Sequence, residues 1–163
     1  MDDDMPILRR REIEASIIKP IYKEMVEAFG EETARVVLSR AIRRDAVMQG
    51  KACAETKEGK NNIDGFVQLF KMWTADDALT VDVLEQTDHN LDFNVTKCRY
   101  AEMYRKMGSA ELGDILSCGR DGHFCKGYNP RLNLERSQTI MGGASHCDFR
   151  YRLMEGDEIN VEQ

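Results

Sequence analysis

Apolar residues recur with a helical step along the first third of the chain. Ile13, Ile17, Ile21, Met25 and Phe29 follow one another every four residues, with Ile18, Tyr22 and Val26 beside them, and Gly30 stands where a helix C-cap belongs. The spacing predicts one amphipathic helix, bent or restarted at Pro20, where an interior proline removes a backbone hydrogen bond. A second helix is expected from about Glu31 to Met48. Ala34, Val37, Leu38, Ala41, Ile42 and Ala46 share one of its faces, while Arg35, Arg40, Arg43 and Arg44 fall largely elsewhere, and Gly50 serves as a stop. The four arginines read as a solvated face rather than a phosphate clamp. Lys51 to Asn62 is polar and reads as a helix end plus loop, after which Ile63, Phe66, Val67, Phe70 and Trp73 predict a short third helix.

From Leu79 the period changes to two. Thr80 to Glu85 and Leu91 to Thr96 alternate apolar and polar residues and flank the turn-like Asp88-His89-Asn90, a predicted hairpin. Cys98 to Met107 returns to a helical pattern that Gly108 stops, and Ser109 can cap a further helix through Leu112, Ile115 and Leu116. Cys118 to Pro130 reads as irregular. Leu132 to Glu135 then leads through Thr139-Ile140-Met141 and the Gly142-Gly143 turn to His146–Tyr151, a second hairpin. The order predicts an α+β fold: N-terminal helices followed by an antiparallel sheet of two hairpins packed against helices on one face. With no repeat or low-complexity tract, residues 1–163 are expected to form a single domain, its acidic end from Glu155 to Gln163 fraying.

Composition sharpens this reading. A chain of 163 residues, 42% hydrophobic and 32% charged, has enough core to fold without a metal or disulfide, so its 5 cysteines need another account. The 29 acidic and 23 basic side chains give a formal charge of -6, which argues against a nucleic-acid binder but leaves room for a small anionic ligand. No apolar run is long enough to span a bilayer, and the start Met1-Asp2-Asp3-Asp4 lacks a basic, apolar signal, so a cytoplasmic protein with reduced thiols and no membrane partner is expected.

Chemistry-bearing residues gather in the second half. Cys118, Asp121, His123 and Cys125 lie in a glycine-rich stretch, where Asp121 reads either as an Asx-turn residue or as a general base. The Cys-x6-Cys spacing is not that of a structural zinc site. Cys118, three residues beyond Ile115, can equally continue the buried stripe of its helix. In the last strand, parity sets Ser145, Cys147, Phe149 and Tyr151 on one face and His146, Asp148, Arg150 and Arg152 on the other. Cys147 is thus either a small buried hydrophobe or a thiol lining a pocket, and the charged face is ordinarily solvated. Parity removes Cys98 from the apolar face of its strand and turns it toward the first turn of the next helix. Cys53 shows no pattern beyond packing.

Several stretches resemble the L-2-amino-thiazoline-4-carboxylic acid hydrolase family. They are Arg9 to Ala15, Tyr22 with Phe29-Gly30, Cys98 to Glu102, Cys118-x-x-Asp121, Asn129 to Arg136, and Thr139 to Gly142 leading to His146-Cys147-Asp148-Phe149-Arg150-Tyr151. The resemblance runs in order along nearly the whole chain, and the closing Cys-Asp-Phe-Arg-Tyr is its most specific piece. It implies a hydrolase that opens a small ring containing C–N bonds, the namesake reaction converting a cyclic isothiourea to N-carbamoyl-cysteine. It also implies kinship with the ligand-binding fold of 4-vinyl-reductase-type domains. The motif positions are Cys98, Cys118, Asp121 and Cys147, while Cys125 is local to this chain.

A mechanism follows from the residue types. Asp121 would act as base on a water, or a thiolate at Cys118 or Cys147 would attack the amidine-like carbon. Cys98, His146 and Arg150 are candidate substrate contacts, with Arg150 or Arg136 holding a carboxylate. Parity counts against Arg150 sharing a pocket with Cys147. The expected partner is a small molecule, one that can bear a carboxylate, and no cofactor is called for. Two further readings compete. Cys98, Cys118 and Cys147 with Asp121 or His123 would make a metal or ligand-sensing module without catalysis. The stripe Ile18, Tyr22 and Val26 would make a homodimer face.

Overall fold

The computed structural model describes residues 5–56 and 61–155, so the expected fraying of the acidic end falls outside the described residues beyond Glu155. Three helices open the chain: α1 (Ile7–Phe29), α2 (Glu31–Glu55) and α3 (Ile63–Thr74). Strands β1 (Leu79–Gln86) and β2 (Asn90–Cys98) follow, then helices α4 (Arg99–Lys106), α5 (Ala110–Leu116) and α6 (Asp121–Tyr128), and finally strands β3 (Leu132–Glu135) and β4 (Cys147–Leu153). The sheet is antiparallel throughout, in the order β1-β2-β4-β3, which bears out the α+β reading and both hairpins.

The inward face of the sheet is where alternation placed it. Leu91, Phe93 and Val95 of β2 lie opposite Tyr151, Phe149 and Cys147 of β4, and all six are buried against Phe66, Leu69, Phe124 and Tyr128 from α3 and α6. The Phe93 and Phe149 rings stack at 4.9 Å. A second cluster joins α1, α2, α4 and α5 through Ala15, Tyr22, Ala34, Tyr104 and Leu112.

Three expectations need correction. Helix α1 runs through Pro20 without a break, and its buried face is not the four-residue stripe: Ile17, Ile21 and Phe29 are 58%, 53% and 64% exposed. Four residues turn a helix by about 400°, so a four-residue repeat drifts by about 160° between positions 13 and 29. The face that stays aligned alternates steps of four and three, through Arg11, Ala15, Ile18, Tyr22 and Met25, and it packs into the second cluster. Tyr22 is buried in the second cluster, and Ile18 and Val26 pack against it partly buried.

Gly50, expected to stop α2, lies inside it. A Cβ there would sit 2.2 Å from the Phe124 carbonyl oxygen, and one at Gly127 would sit 2.1 Å from that of Val47, so the two glycines let α2 and α6 touch backbone to backbone. Finally, Cys118 to Pro130 is not irregular. Cys118–Arg120 forms a 3-10 turn that passes into α6, whose Phe124, Cys125 and Tyr128 are buried. Glycines at 119, 122 and 127 hide that helix from a propensity reading, and tertiary packing supplies what propensity lacks.

Candidate active site

Four segments converge where the two core clusters meet. Cys98 ends β2 and caps α4, its Sγ accepting the Ala101 N–H at 3.4 Å, as parity anticipated. Cys118 opens the 3-10 turn, Asp121 begins α6, and Cys147 begins β4 with its Sγ accepting the Ile140 N–H at 3.2 Å. Cys98 and Ile140 pack against both clusters. Each of the three thiols lies within electrostatic reach of Asp121, and Cys98 and Cys118 each feel Cys147.

Arg136, in the loop between β3 and β4, closes the group. Its Nη1 donates to Asp121 Oδ2 at 2.5 Å, its Nη2 donates to the Cys118 carbonyl at 3.0 Å, and its guanidinium lies 4.9 Å from the centre of the Phe149 ring. The side chain is 15% exposed. Two bonds account for two of its five N–H donors. What holds Arg136 there is Asp148, whose carboxylate accepts the Ser137 N–H, the Ser137 hydroxyl and the Gln138 N–H, so the chain just after Arg136 is tied down from β4.

The electrostatics separate the groups by role. Burial pushes the Cys98, Cys118 and Cys147 thiols up, Cys118 furthest because the Asp121 charge adds to desolvation, so all three are protonated at neutral pH. Burial also pushes the Asp121 carboxyl above its ordinary value, outweighing the pull of Arg136, Arg11 and Arg120. Arg11 was not anticipated as a site group. It comes from the buried face of α1, donates to Glu14 at 2.5 Å, and has a side chain only 6% exposed. Its signal was legible: it is a guanidinium at a position where the four-three pattern requires an apolar residue. Arg120, also buried, is paired with Asp45 of α2.

Other candidates stand apart. Arg150 lies on the outer face of the sheet, bonded to the Phe93 carbonyl at 2.9 Å and to Asn94 Oδ1 at 3.0 Å, beside Asp92, so it does not share the thiol pocket. His146 meets Ser145 and Gln138 at the loop end. Among the described residues no group of three or more His, Cys, Asp or Glu is arranged to hold a metal ion. His123 faces away from them, into two open surface grooves of about 260 and 530 Å³. Neither groove is lined by Cys98, Cys118, Asp121 or Cys147. Cys125 is sealed in the sheet core, and no helix among the described residues is long and apolar enough to cross a membrane.

The fold is α+β, with a carboxylate, a guanidinium and three thiols gathered at the seam of its two cores. The chain matches the model of the L-2-amino-thiazoline-4-carboxylic acid hydrolase family over residues 10–151, and it belongs to that family. No curated protein matches it. Among solved structures it is similar to the phenol-responsive sensory domain of the transcription activator PoxR with phenol, at TM-score 0.50 and 16% identity, over 88% of this chain and 76% of that one. A trafficking protein particle complex subunit 3 from Naegleria fowleri, covalently bound to palmitic acid, matches at TM-score 0.47 and 12% identity, over 90% of this chain and 96% of that one.

Proposed function

We propose that the protein hydrolyses a small cyclic isothiourea, amidine or amide, with Asp121 as general base and Arg136 holding both Asp121 and a carboxylate of the substrate. The observation that carries this reading is the Arg136–Asp121 pair at 2.5 Å, within electrostatic reach of Cys118 and Cys147, with the Arg136 guanidinium against the Phe149 ring. A base needs an affinity for protons near the working pH, and burial raises that of Asp121 in the required direction.

In the proposed reaction, a water attacks the electrophilic ring carbon bonded to nitrogen and gives a proton to the Asp121 carboxylate. The tetrahedral carbon then expels a ring atom, and Asp121 returns the proton to it. In an isothiourea that yields an N-carbamoyl product both nitrogens stay on carbon, so the bond that breaks is C–S, the Asp121 proton goes to sulfur, and the second water proton passes from the new hydroxyl to the ring nitrogen as the carbonyl forms. In a cyclic amidine or amide it is C–N. The protonated thiols favour water as nucleophile: Cys118 or Cys147 would first have to surrender its proton to Asp121 before attacking.

The test is turnover of 2-amino-thiazoline-4-carboxylate, followed by the thiol it releases. Asp121→Asn is expected to lower kcat/KM by about 10²–10⁴-fold in a folded protein. Full turnover by that variant would overturn the base assignment. Absence of turnover by the unaltered protein on the isothiourea, a cyclic amidine and a cyclic amide would overturn the hydrolase reading. The protonated thiols and the aromatic wall of Phe149 and Tyr151 support a second reading, a ligand-sensing pocket. It predicts saturable ligand binding that Asp121→Asn leaves intact, without product.

A further inference from the structure

A different face of the molecule carries two basic grooves. Along α2, Arg35, Arg40, Arg43 and Arg44 wall a groove of about 530 Å³ whose remaining lining is Val36, Ser39, Val47 and His123. His123 also lines the second groove, of about 260 Å³, with Lys126 and Arg131 beside Leu132, Leu134 and Met154. The two grooves thus meet at one imidazole and form a track across α2 and α6.

Its charge is one-sided. The chain has 29 acidic residues, yet no acidic side chain lines either groove among the described residues. Arg35 reaches Asp114 at 3.3 Å, while among the described residues Arg40, Arg43 and Arg44 have no ion-pair partner. Four like charges within ten residues of one helix repel each other, and an anionic ligand relieves that repulsion.

We propose that this track binds an acidic peptide segment of a partner protein, with carboxylates on the arginines and apolar side chains on Val36 and Val47. Length argues for a chain rather than a small anion, since positions 35 to 47 span about 18 Å of helix before the track continues to Arg131. Lining argues against single-stranded nucleic acid, which needs aromatic platforms for its bases: among the described residues neither groove has a Phe, Tyr or Trp. The inference is independent of the hydrolase reading, because the two sites share no residue.

His123 is a built-in reporter. Burial, then Arg43 and Lys126, hold its imidazole below the usual histidine value, and a bound polyanion would cancel the second and third of these. The experiment uses the full chain and a fluorescein-labelled 16-residue peptide of repeated Leu-Glu-Glu-Leu, read by anisotropy and by NMR titration of His123. Saturable binding that weakens with salt, raises the His123 pKa and falls by at least about ten-fold in the Arg40→Glu/Arg43→Glu variant is expected. Both arginines are exposed, so the variant keeps its fold, which circular dichroism checks. Failure to saturate, indifference to the charge reversal, or tighter binding of a 20-nucleotide oligo(dT) would overturn the proposal.

Discussion

Asp121 and Asp148 carry opposite pH dependences. The Asp121 carboxyl is raised above its ordinary value of 3.8, so the folded state holds this proton more tightly than the unfolded chain. Its contribution to stability is fullest below 3.8 and declines as pH rises through the raised value. Asp148 runs the other way. Desolvation opposes its charge, but hydrogen bonds from Ser137 and Gln138 prevail and hold it down at about 2, so its contribution is present above 3.8 and lost as pH falls toward about 2. Denaturation midpoints measured against pH should therefore separate them: Asp121→Asn removes a decline on the neutral side, and Asp148→Asn removes a loss on the acid side. An Asp148→Asn variant that kept the full acid-side loss would assign that loss to another carboxylate. Asp148→Asn should also slow turnover, because Ser137 and Gln138 would no longer anchor Arg136. Much of this was legible in sequence. A period of two placed Cys147 inward and Arg150 outward, and the strand-to-helix junction turned Cys98 toward α4. The Arg136–Asp121 pair was not legible, because a loop and a misread helix bring together residues whose contact no local period encodes.

Elements show the same division. Helix α3 and strands β1 and β2 were readable to within a few residues from their apolar period, whereas the end of α2 and the whole of α6 were not, since Gly50 and Gly127 serve a contact rather than a stop. That contact makes a sharp prediction. Gly127→Ala would drive a methyl group into the Val47 carbonyl at 2.1 Å, and because the obstacle is helical backbone it cannot swing aside. The variant should lose about 1–3 kcal/mol or more of stability, measured by urea denaturation with an unchanged slope. Gly122→Ala, with nothing within 4 Å of its Cβ, is the matched control and should not destabilise. If the two variants were equally stable, the backbone contact between α2 and α6 would not be tight in solution. The error in α1 has a different physical origin: with Ile, Met, Val and Tyr on several faces, composition could not say which face is inward. The choice was made by Ala15 and Ala34, whose small side chains are completely buried in the helical cluster.

At the scale of the whole molecule, the site lies where a sheet core and a helical core share Leu79, Cys98 and Ile140. Each core contributes groups: Cys147 and Phe149 come from the sheet side, and Tyr100 and Cys118 from the helical side. Helix α1 belongs to the helical core alone, yet its buried Arg11 acts on Asp121, Tyr100 and Arg120. The first turns of the chain therefore act on a carboxyl more than a hundred residues away. Arg11→Gln should raise the Asp121 pKa and move the acid limb of the kcat/KM profile to higher pH, because a base must be unprotonated to act and one of its cations is gone. The shift should be smaller than that of Arg136→Gln, whose guanidinium touches the carboxylate and pulls it down most strongly. Arg11→Lys, which keeps the charge, should restore the profile even if it loosens the packing around Glu14. An acid limb that stayed in place in Arg11→Gln would reduce Arg11 to a packing residue of α1, and the pH dependence would then rest on Arg136 and on burial alone.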